Sequence, residues 1–364
     1  MSESVAPAAP KAAEPTFDPV PCSQVKPEAV EWLWQPYLPR GKLVVLDGDP
    51  GTGKSFLTTD LAARVSRGRA LPGGTPAKPA NVLLLNAEDA AADTLRPRLS
   101  AASADLSRVH IFFAPDLDNE WVPRFPDDFG QLAKAVFARE AALVVLDPLS
   151  AFLGARANAN IDHAVRAALS PLAYLAAKSG ACILLVRHLR KSPTGGALTR
   201  GLGSVGIAGA VRGGLVLARH PDDADLRVLA VSKSNLSAPG ASVGFRLVGG
   251  GSGPPLVSWV NRLDLSADDL LGSGTPARAS ARVRERAAEW LRVQLFGGAK
   301  RASELFAAAR AAGIPDRTLK RAKALAGVRA DARNNGAVTE WWWHDPHAEP
   351  AAPTAPVVDD APMG

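Results

Sequence analysis

Gly48-Asp49-Pro50-Gly51-Thr52-Gly53-Lys54-Ser55 matches the pattern G-x-x-x-x-G-K-[ST] at every fixed position, and the residue types indicate what such a stretch can do. Glycines let the backbone curl so that successive N–H groups point at phosphate oxygens. A helix starting there adds the positive end of its dipole. Lys54 reaches the terminal phosphates of a nucleoside triphosphate, and the Ser55 hydroxyl helps to hold Mg²⁺. The whole stretch is the candidate ATP-binding loop, with Lys54 also a candidate catalytic residue.

Phosphoryl transfer needs positioned charge more than covalent chemistry, so the other participants are sought among carboxylates, a histidine and cations at strand ends. Asp147 closes the apolar run Ala142–Leu146 and joins Ser55 as a candidate Mg²⁺ ligand. Glu88-Asp89 follows the run Val82–Leu85. A carboxylate there can take the proton of an attacking water, with Glu88 the preferred base and Asp89 the alternative. His188 follows the run Cys182–Val186, at a position suited to sensing the γ-phosphate by hydrogen bonding. Arg190-Lys191, the loop Ser192–Leu198 and Arg200-Gly201 form a glycine-rich basic stretch suited to phosphates of nucleotide or DNA. Arg200, Arg212 and Lys233 are candidates for a cationic clamp, and Arg219 is a further cation of the same kind. A γ-phosphate clamp reached from a neighbouring subunit would account for assembly into a ring.

The elements that must position these groups are legible as patterns. Leu43–Leu46 reads as a buried strand, and Phe56–Val65 as an amphipathic helix carrying Leu57, Leu61 and Val65. Val82–Leu85, Ile111–Phe113, Leu143–Leu146 and Ile183–Val186 are short apolar runs without alternation, as in a parallel sheet covered on both faces. Gln131–Glu140 and Ala164–Lys178 are the predicted covering helices. From Leu215 onward, runs at Leu215–Leu217, Val228–Val231, Val243–Val248 and Leu256–Trp259 follow each other closely across Asp- or Gly-rich turns, which predicts an antiparallel extension. Trp32-Leu33-Trp34 and Tyr37-Leu38-Pro39 precede the first strand, as core packing or as cover for a nucleotide base. The predicted fold class is thus α/β, a mainly parallel central sheet with an antiparallel extension and a small helical domain behind it.

Domain boundaries follow composition. Residues 1–24 are a tail, Ala/Pro-rich and expected to be disordered, and 25–263 form the main domain. Residues 264–278 read as a linker through Gly-Ser-Gly-Thr-Pro, 279–345 as a basic domain, and 346–364 as a second disordered tail. Hydrophobic residues make up 47% of the 364-residue chain, yet no apolar run approaches the roughly 18 residues of a membrane span. No basic segment leads into an apolar one at the N-terminus. Cys22 and Cys182 are too few for a disulfide framework, so the expected compartment is the reducing cytoplasm. Charge is concentrated: Pro276–Asp345 holds 14 Lys/Arg against 7 Asp/Glu, a surplus of +7 in a chain whose total is +6. Such a module points to an anionic partner such as DNA.

Within that module, Ala281–Phe296 places Val283, Ala287, Trp290, Leu291 and Leu295 on one helical face. Ser303-Glu304 opens a second helix that ends at Gly313. A third, Arg317–Ala326, bears Arg317, Lys320, Arg321 and Lys323, the helix-turn-helix pattern of a DNA-binding element. Val328–Arg333 and Val338–Trp343, around Asn334-Asn335-Gly336, read as the hairpin of a winged-helix-like domain.

Glu31-Trp32-Leu33-Trp34 and Pro39-Arg40-Gly41-Lys42 lead into the phosphate loop. Asn86-Ala87-Glu88-Asp89, Leu146-Asp147-Pro148-Leu149, Val186–Lys191 and Val231–Asn235 follow in order. Over residues 25–260 this series resembles the RecA-like AAA-family ATPases of the plasmid-replication hexameric helicase type. The resemblance implies a RecA-like P-loop core and a homohexameric ring. It also implies Glu88 as catalytic base, Asp147 on Mg²⁺, His188 as coupling residue, and loops near 154–162 and 190–204 facing single-stranded DNA in the channel. The C-terminal pattern resembles the winged-helix tails of phage and plasmid ATPases, which implies contact with duplex DNA. Asn235 stands where such helicases often carry a basic residue two positions after the lysine. Three readings are carried forward: a DNA motor or helicase, an ATP-gated DNA-binding loader or regulator, and a RecA-like switch whose tail binds protein.

Overall fold

The structure, a computed structural model, describes residues 19–112, 122–154, 162–189, 205–251, 253–271, 276–334 and 339–346. The stretch 190–204, which holds Arg190, Lys191 and Arg200, lies outside the described residues, as do 155–161 and nearly all of the two tails.

In chain order the strands are β1 (Trp32–Trp34), β2 (Leu38–Pro39), β3 (Leu43–Gly48), β4 (Asn81–Asn86), β5 (Val109–Phe112), β6 (Ala141–Asp147), β7 (Cys182–His188), β8 (Gly213–His220), β9 (Asp223–Ser234), β10 (Ser242–Val248), β11 (Leu256–Leu263), β12 (Lys300–Arg301), β13 (Arg329–Asn334) and β14 (Thr339–His344). The helices are α1 (Lys54–Arg67), α2 (Arg96–Ala101), α3 (Phe129–Ala138), α4 (Leu149–Phe152), α5 (Asp162–Ser179), α6 (Val205–Ala210), α7 (Ala267–Leu271), α8 (Pro276–Leu295), α9 (Ala302–Ala311) and α10 (Asp316–Leu325).

Nine strands form one sheet in the order β11-β10-β9-β8-β3-β7-β6-β4-β5. β8, β3, β7, β6, β4 and β5 run parallel, while β9, β10 and β11 continue the sheet antiparallel. This is the α/β architecture, a mainly parallel sheet with an antiparallel extension, that the unalternated apolar runs and the closely spaced later strands predict. β3 and β6 are buried along their whole length because helices cover both faces. On one face α1 presents Leu57, Leu61 and Val65 to Val44, Leu46, Val145 and Leu217. On the other, Leu132 and Val136 of α3 and Leu169, Leu172 and Leu175 of α5 cover Val45, Val144 and Leu185.

Register decides what reaches the edge. Gly48 pairs with His188 across β3 and β7, and Asn86 pairs with Asp147 across β4 and β6. The strand before the phosphate loop and the strand ending in Asp147 are separated only by β7. All of these chain ends therefore meet at one rim of the sheet, the C-terminal one, where a ligand can approach parallel strands. Trp34 and Tyr37 are buried in the core on the α1 face, so the packing reading of that aromatic stretch holds.

The stretch read as a linker differs from expectation. α7 lies within it, with Ala267 and Leu271 packed against Leu189, Val216 and Ala230. Its Asp269 is buried, accepting the Ser266 N–H at 3.0 Å and the Ser266 hydroxyl at 2.7 Å and pairing with Arg286 at 3.1 Å. α8 starts at Pro276, and its C-terminal half joins α9, α10 and the three-stranded sheet β12-β14-β13 around Leu291, Leu295, Leu305, Leu319 and Trp343. Among the described residues no helix is long and apolar enough to cross a membrane.

Candidate functional site

β3 ends inside the predicted phosphate loop. At Gly48 a Cβ would stand 2.6 Å from the Leu217 carbonyl oxygen of β8, so only glycine lets the neighbouring strands approach this closely. Gly51 and Gly53 take φ values of +72° and +96°, the left-handed conformation that turns the chain back into α1. The Thr52 hydroxyl donates to the Asp49 carbonyl at 2.8 Å and closes the curl. The Lys54 ammonium donates to the Gly48 carbonyl at 2.8 Å and to the Asp49 carbonyl at 3.0 Å, so it lies folded across the mouth of its own loop. Burial pulls its pKa below the ordinary lysine value, while Asp147, Asp49, Glu88 and Asp47 act in the opposite direction.

Asp147 and Ser55 meet at the rim: the Ser55 hydroxyl donates to Asp147 Oδ2 at 3.1 Å. Burial raises the Asp147 carboxyl above the usual range, and the Ser55 hydrogen bond offsets this in part. A buried carboxylate beside a hydroxyl is a set of hard oxygen donors, and a divalent cation would favour its ionised form. The two residues therefore fit a Mg²⁺ site.

Glu88 reaches the same mouth through a local turn. Asn86, the last residue of β4, accepts the N–H groups of Glu88 at 2.9 Å and Asp89 at 2.7 Å through Oδ1. The Ala87 N–H donates to the Asp147 carbonyl at 3.0 Å. The Lys54 ammonium lies 3.3 Å from His188 Nδ1, and His188 Nε2 lies 3.3 Å from Glu88 Oε1. An ammonium can only donate, so Nδ1 accepts, and Nε2–H is left to donate to the Glu88 carboxylate. His188 thus bridges Lys54 and Glu88, the candidate base. Asp89, the alternative base, is held in an ion pair with Arg98 at 2.7 Å, and the Arg98 guanidinium lies 4.6 Å from the Phe56 ring centroid.

Two pairings escape the sequence. Asp47, one residue before the loop, is buried and paired with Arg187, with Nε at 2.9 Å and Nη2 at 2.8 Å from Oδ1. Because Asp47 faces Arg187 in the β3–β7 register, the pair fixes His188 beside Gly48. Burial pushes the Asp47 carboxyl up to about 7, against the pull of Arg187. The second pairing is Arg219 with Arg227, on the flank of the loop away from Glu88, where Arg219 Nη2 lies 3.4 Å from the Gly51 carbonyl.

The other candidate cations lie elsewhere. Arg212 and Lys233 sit at the opposite end of the sheet: the Arg212 N–H donates to the Leu43 carbonyl at 3.0 Å and the Lys233 ammonium to that of Val211 at 3.1 Å. Neither reaches the phosphate loop of its own chain. Arg317, Lys320, Arg321 and Lys323 all lie on α10. There Arg321 pairs with Asp222 in the β8–β9 turn at 2.9 Å, and Asp222 has no exposed side-chain surface. Lys320 lies 5.8 Å from the Phe306 ring and Lys323 lies 5.0 Å from the Trp343 ring.

The family model described as an AAA domain matches residues 9–194, just over half of the chain. Among solved structures, the RadB recombinase is 19% identical, with 58% of this chain and 89% of that chain covered at a TM-score of 0.43. A DnaB-like replicative helicase is 14% identical, covering 58% of this chain and 56% of its own at 0.44. A KaiC-like protein from the archaeon Pyrococcus horikoshii is 17% identical, covering 61% and 91% at 0.42. No curated protein matches.

Proposed function

The chain belongs to the AAA-domain family, and from that premise we propose that it is a Mg²⁺-dependent ATPase that works on DNA in the cytoplasm as a homohexameric ring. The observation that supports this best is the convergence of Lys54, Ser55 with Asp147, and His188 with Glu88 on one glycine-built loop. In this reading the loop amides and Lys54 hold the triphosphate. Ser55 and Asp147 hold the metal, which when bound offsets charge on the phosphate oxygens. Glu88 takes a proton from a water whose oxygen bonds to the γ-phosphorus as the bond to the β-phosphate oxygen breaks, leaving ADP and phosphate. His188, hydrogen-bonded to both Lys54 and Glu88, couples occupancy of the loop to the position of the base.

Action on DNA is supported by the +7 surplus between Pro276 and Asp345 and by the four cations of α10, in what we read as a winged-helix-like domain. Arg190 and Lys191 are assigned to single-stranded DNA in the ring channel, and α10 to duplex. The distance of Arg212 and Lys233 from their own loop suits a clamp delivered to the neighbouring subunit, with Arg200 the third candidate. In this account the protein is a replicative helicase-like ATPase of a plasmid, phage or other mobile element.

The Arg321–Asp222 pair favours a second reading, an ATP-gated DNA-binding loader or regulator, because it ties the basic helix to the ATPase sheet. The ATPase rate with and without single-stranded DNA, read beside the molecular mass in solution with nucleotide, tests both. A hexamer stimulated by DNA is expected, and a monomer indifferent to DNA would overturn the DNA-motor reading. Strand displacement that disappears in Lys54→Ala would decide for the motor over the regulator.

A further inference from the structure

We propose that Arg219 and Arg227 form an anion clasp that holds the nucleoside end of the triphosphate, its α-phosphate side, from within the same chain. This rests on the nucleotide-binding reading above. The two arginines face each other directly in the β8–β9 register. Like charges placed opposite on adjacent strands are destabilising unless something lies between them. Among the described residues neither guanidinium makes an ion pair with a carboxylate. Arg219 donates to the Ala224 carbonyl at 2.9 Å and the Gly51 carbonyl at 3.4 Å, and Arg227 to the Asp225 carbonyl at 2.7 Å. The nearby third arginine, Arg246, is already satisfied by Asp223, at 2.5 Å.

The Nε of Arg227 is buried with no hydrogen-bond partner, and a Cβ on Gly53 would lie 3.8 Å from it. An unpartnered cationic donor beside the phosphate loop suits an anion. Burial, and then Arg219, hold the Arg227 pKa below its ordinary value, while Asp225 acts in the opposite direction; the charge of an anion bound between the two arginines would offset that lowering. Arginine's planar fork suits phosphate oxygens in particular.

Sheet order says which phosphate. β7, β6 and β4, with His188, Asp147 and Glu88, lie on one side of β3, and β8 and β9 lie on the other. The γ-phosphate belongs beside Glu88, so the flank at Arg219 and Arg227 receives the opposite end. ATP and ADP share that end, so the clasp grips substrate and product alike. This separates it from a clamp on the γ-phosphate.

The test uses the full chain with ADP or ATP and Mg²⁺, comparing wild type, Arg219→Ala, Arg227→Ala and Lys54→Ala. Each arginine variant is expected to lose about tenfold to a hundredfold in affinity, in parallel for ADP and ATP. Without nucleotide each should melt at or above the wild-type midpoint, because one of two opposed charges is gone. Wild-type affinity for ADP in both variants would overturn the clasp, as would a loss confined to ATP. A lowered midpoint without nucleotide would show bracing residues instead, and would overturn it too. If wild type bound neither nucleotide and matched Lys54→Ala, the nucleotide reading itself would have failed and the clasp with it.

Discussion

Gly48→Ala puts the packing around the phosphate loop to a quantitative test. The added Cβ would lie 2.6 Å from the Leu217 carbonyl oxygen, 3.0 Å from Thr52 Oγ1 and 3.3 Å from Lys54 Cδ. Ordinary carbon–oxygen contacts start near about 3.3 Å, so roughly 0.7 Å of movement is required. The carbonyl cannot swing aside as a side chain would. Leu217 is fully buried in β8, and β3 is held between β8 and β7. Overpacking of this kind costs about 1–3 kcal/mol, and a backbone obstacle places it near about 3 kcal/mol, more than a hundredfold in the folding equilibrium. Displacing Thr52, whose hydroxyl closes the loop on Asp49, should weaken ATP binding as well. Gly51→Ala is the control, since nothing lies within 4 Å of its Cβ and only the φ of +72° is strained, at about 1–2 kcal/mol. Urea denaturation and fluorescent-nucleotide titration read the two effects. Gly48→Ala as stable as wild type, or less costly than Gly51→Ala, would show that the Leu217 carbonyl does not block a Cβ at this position.

Further outcomes follow from particular contacts. The Asp47 carboxyl, raised by burial from its ordinary 3.8 to about 7, makes the folded state bind more protons than the unfolded one in that window. Asp47 should therefore contribute a fall in stability without nucleotide as pH rises from about 4 to about 7, and denaturation midpoints measured across pH should fall less steeply in Asp47→Asn than in wild type, the buried Asp147 carboxyl still contributing in the same direction. Asp89→Asn should leave kcat near wild type while lowering the urea midpoint modestly, since Asp89 is spent on Arg98. On duplex DNA, Arg317→Ala should reduce the salt slope of binding by about 1, whereas Arg321→Ala should leave it nearly unchanged because Asp222 already pairs that charge. Anisotropy titrations between about 50 and 200 mM salt would show it.

What the sequence reveals depends on how local the cause is. The phosphate loop is a contiguous pattern. Asp147, Glu88 and His188 follow buried apolar runs, and parallel strands bring such ends to one rim whatever their order in the chain. Asp47 with Arg187 is different: 140 residues separate them, and only the β3–β7 register makes them partners. Arg219 was visible as a cation, but its opposition to Arg227 depends on how the turn after His220 sets the hairpin. In the stretch 264–278 the Gly-Ser-Gly-Thr-Pro run dominated the composition and hid the packed turn around Asp269. Helical periodicity put four cations on α10 but carried no information that the β8–β9 turn would capture Arg321.

In the proposed mechanism Glu88, held through His188 to Lys54, readies water for attack on a triphosphate in the loop. Phosphate release under single-turnover conditions by Glu88→Gln, with ATP affinity measured on the same preparation, isolates this role of the carboxylate. Binding within about twofold of wild type with a rate down about a hundredfold or more is the expected result. Hydrolysis at the wild-type rate in Glu88→Gln would contradict it.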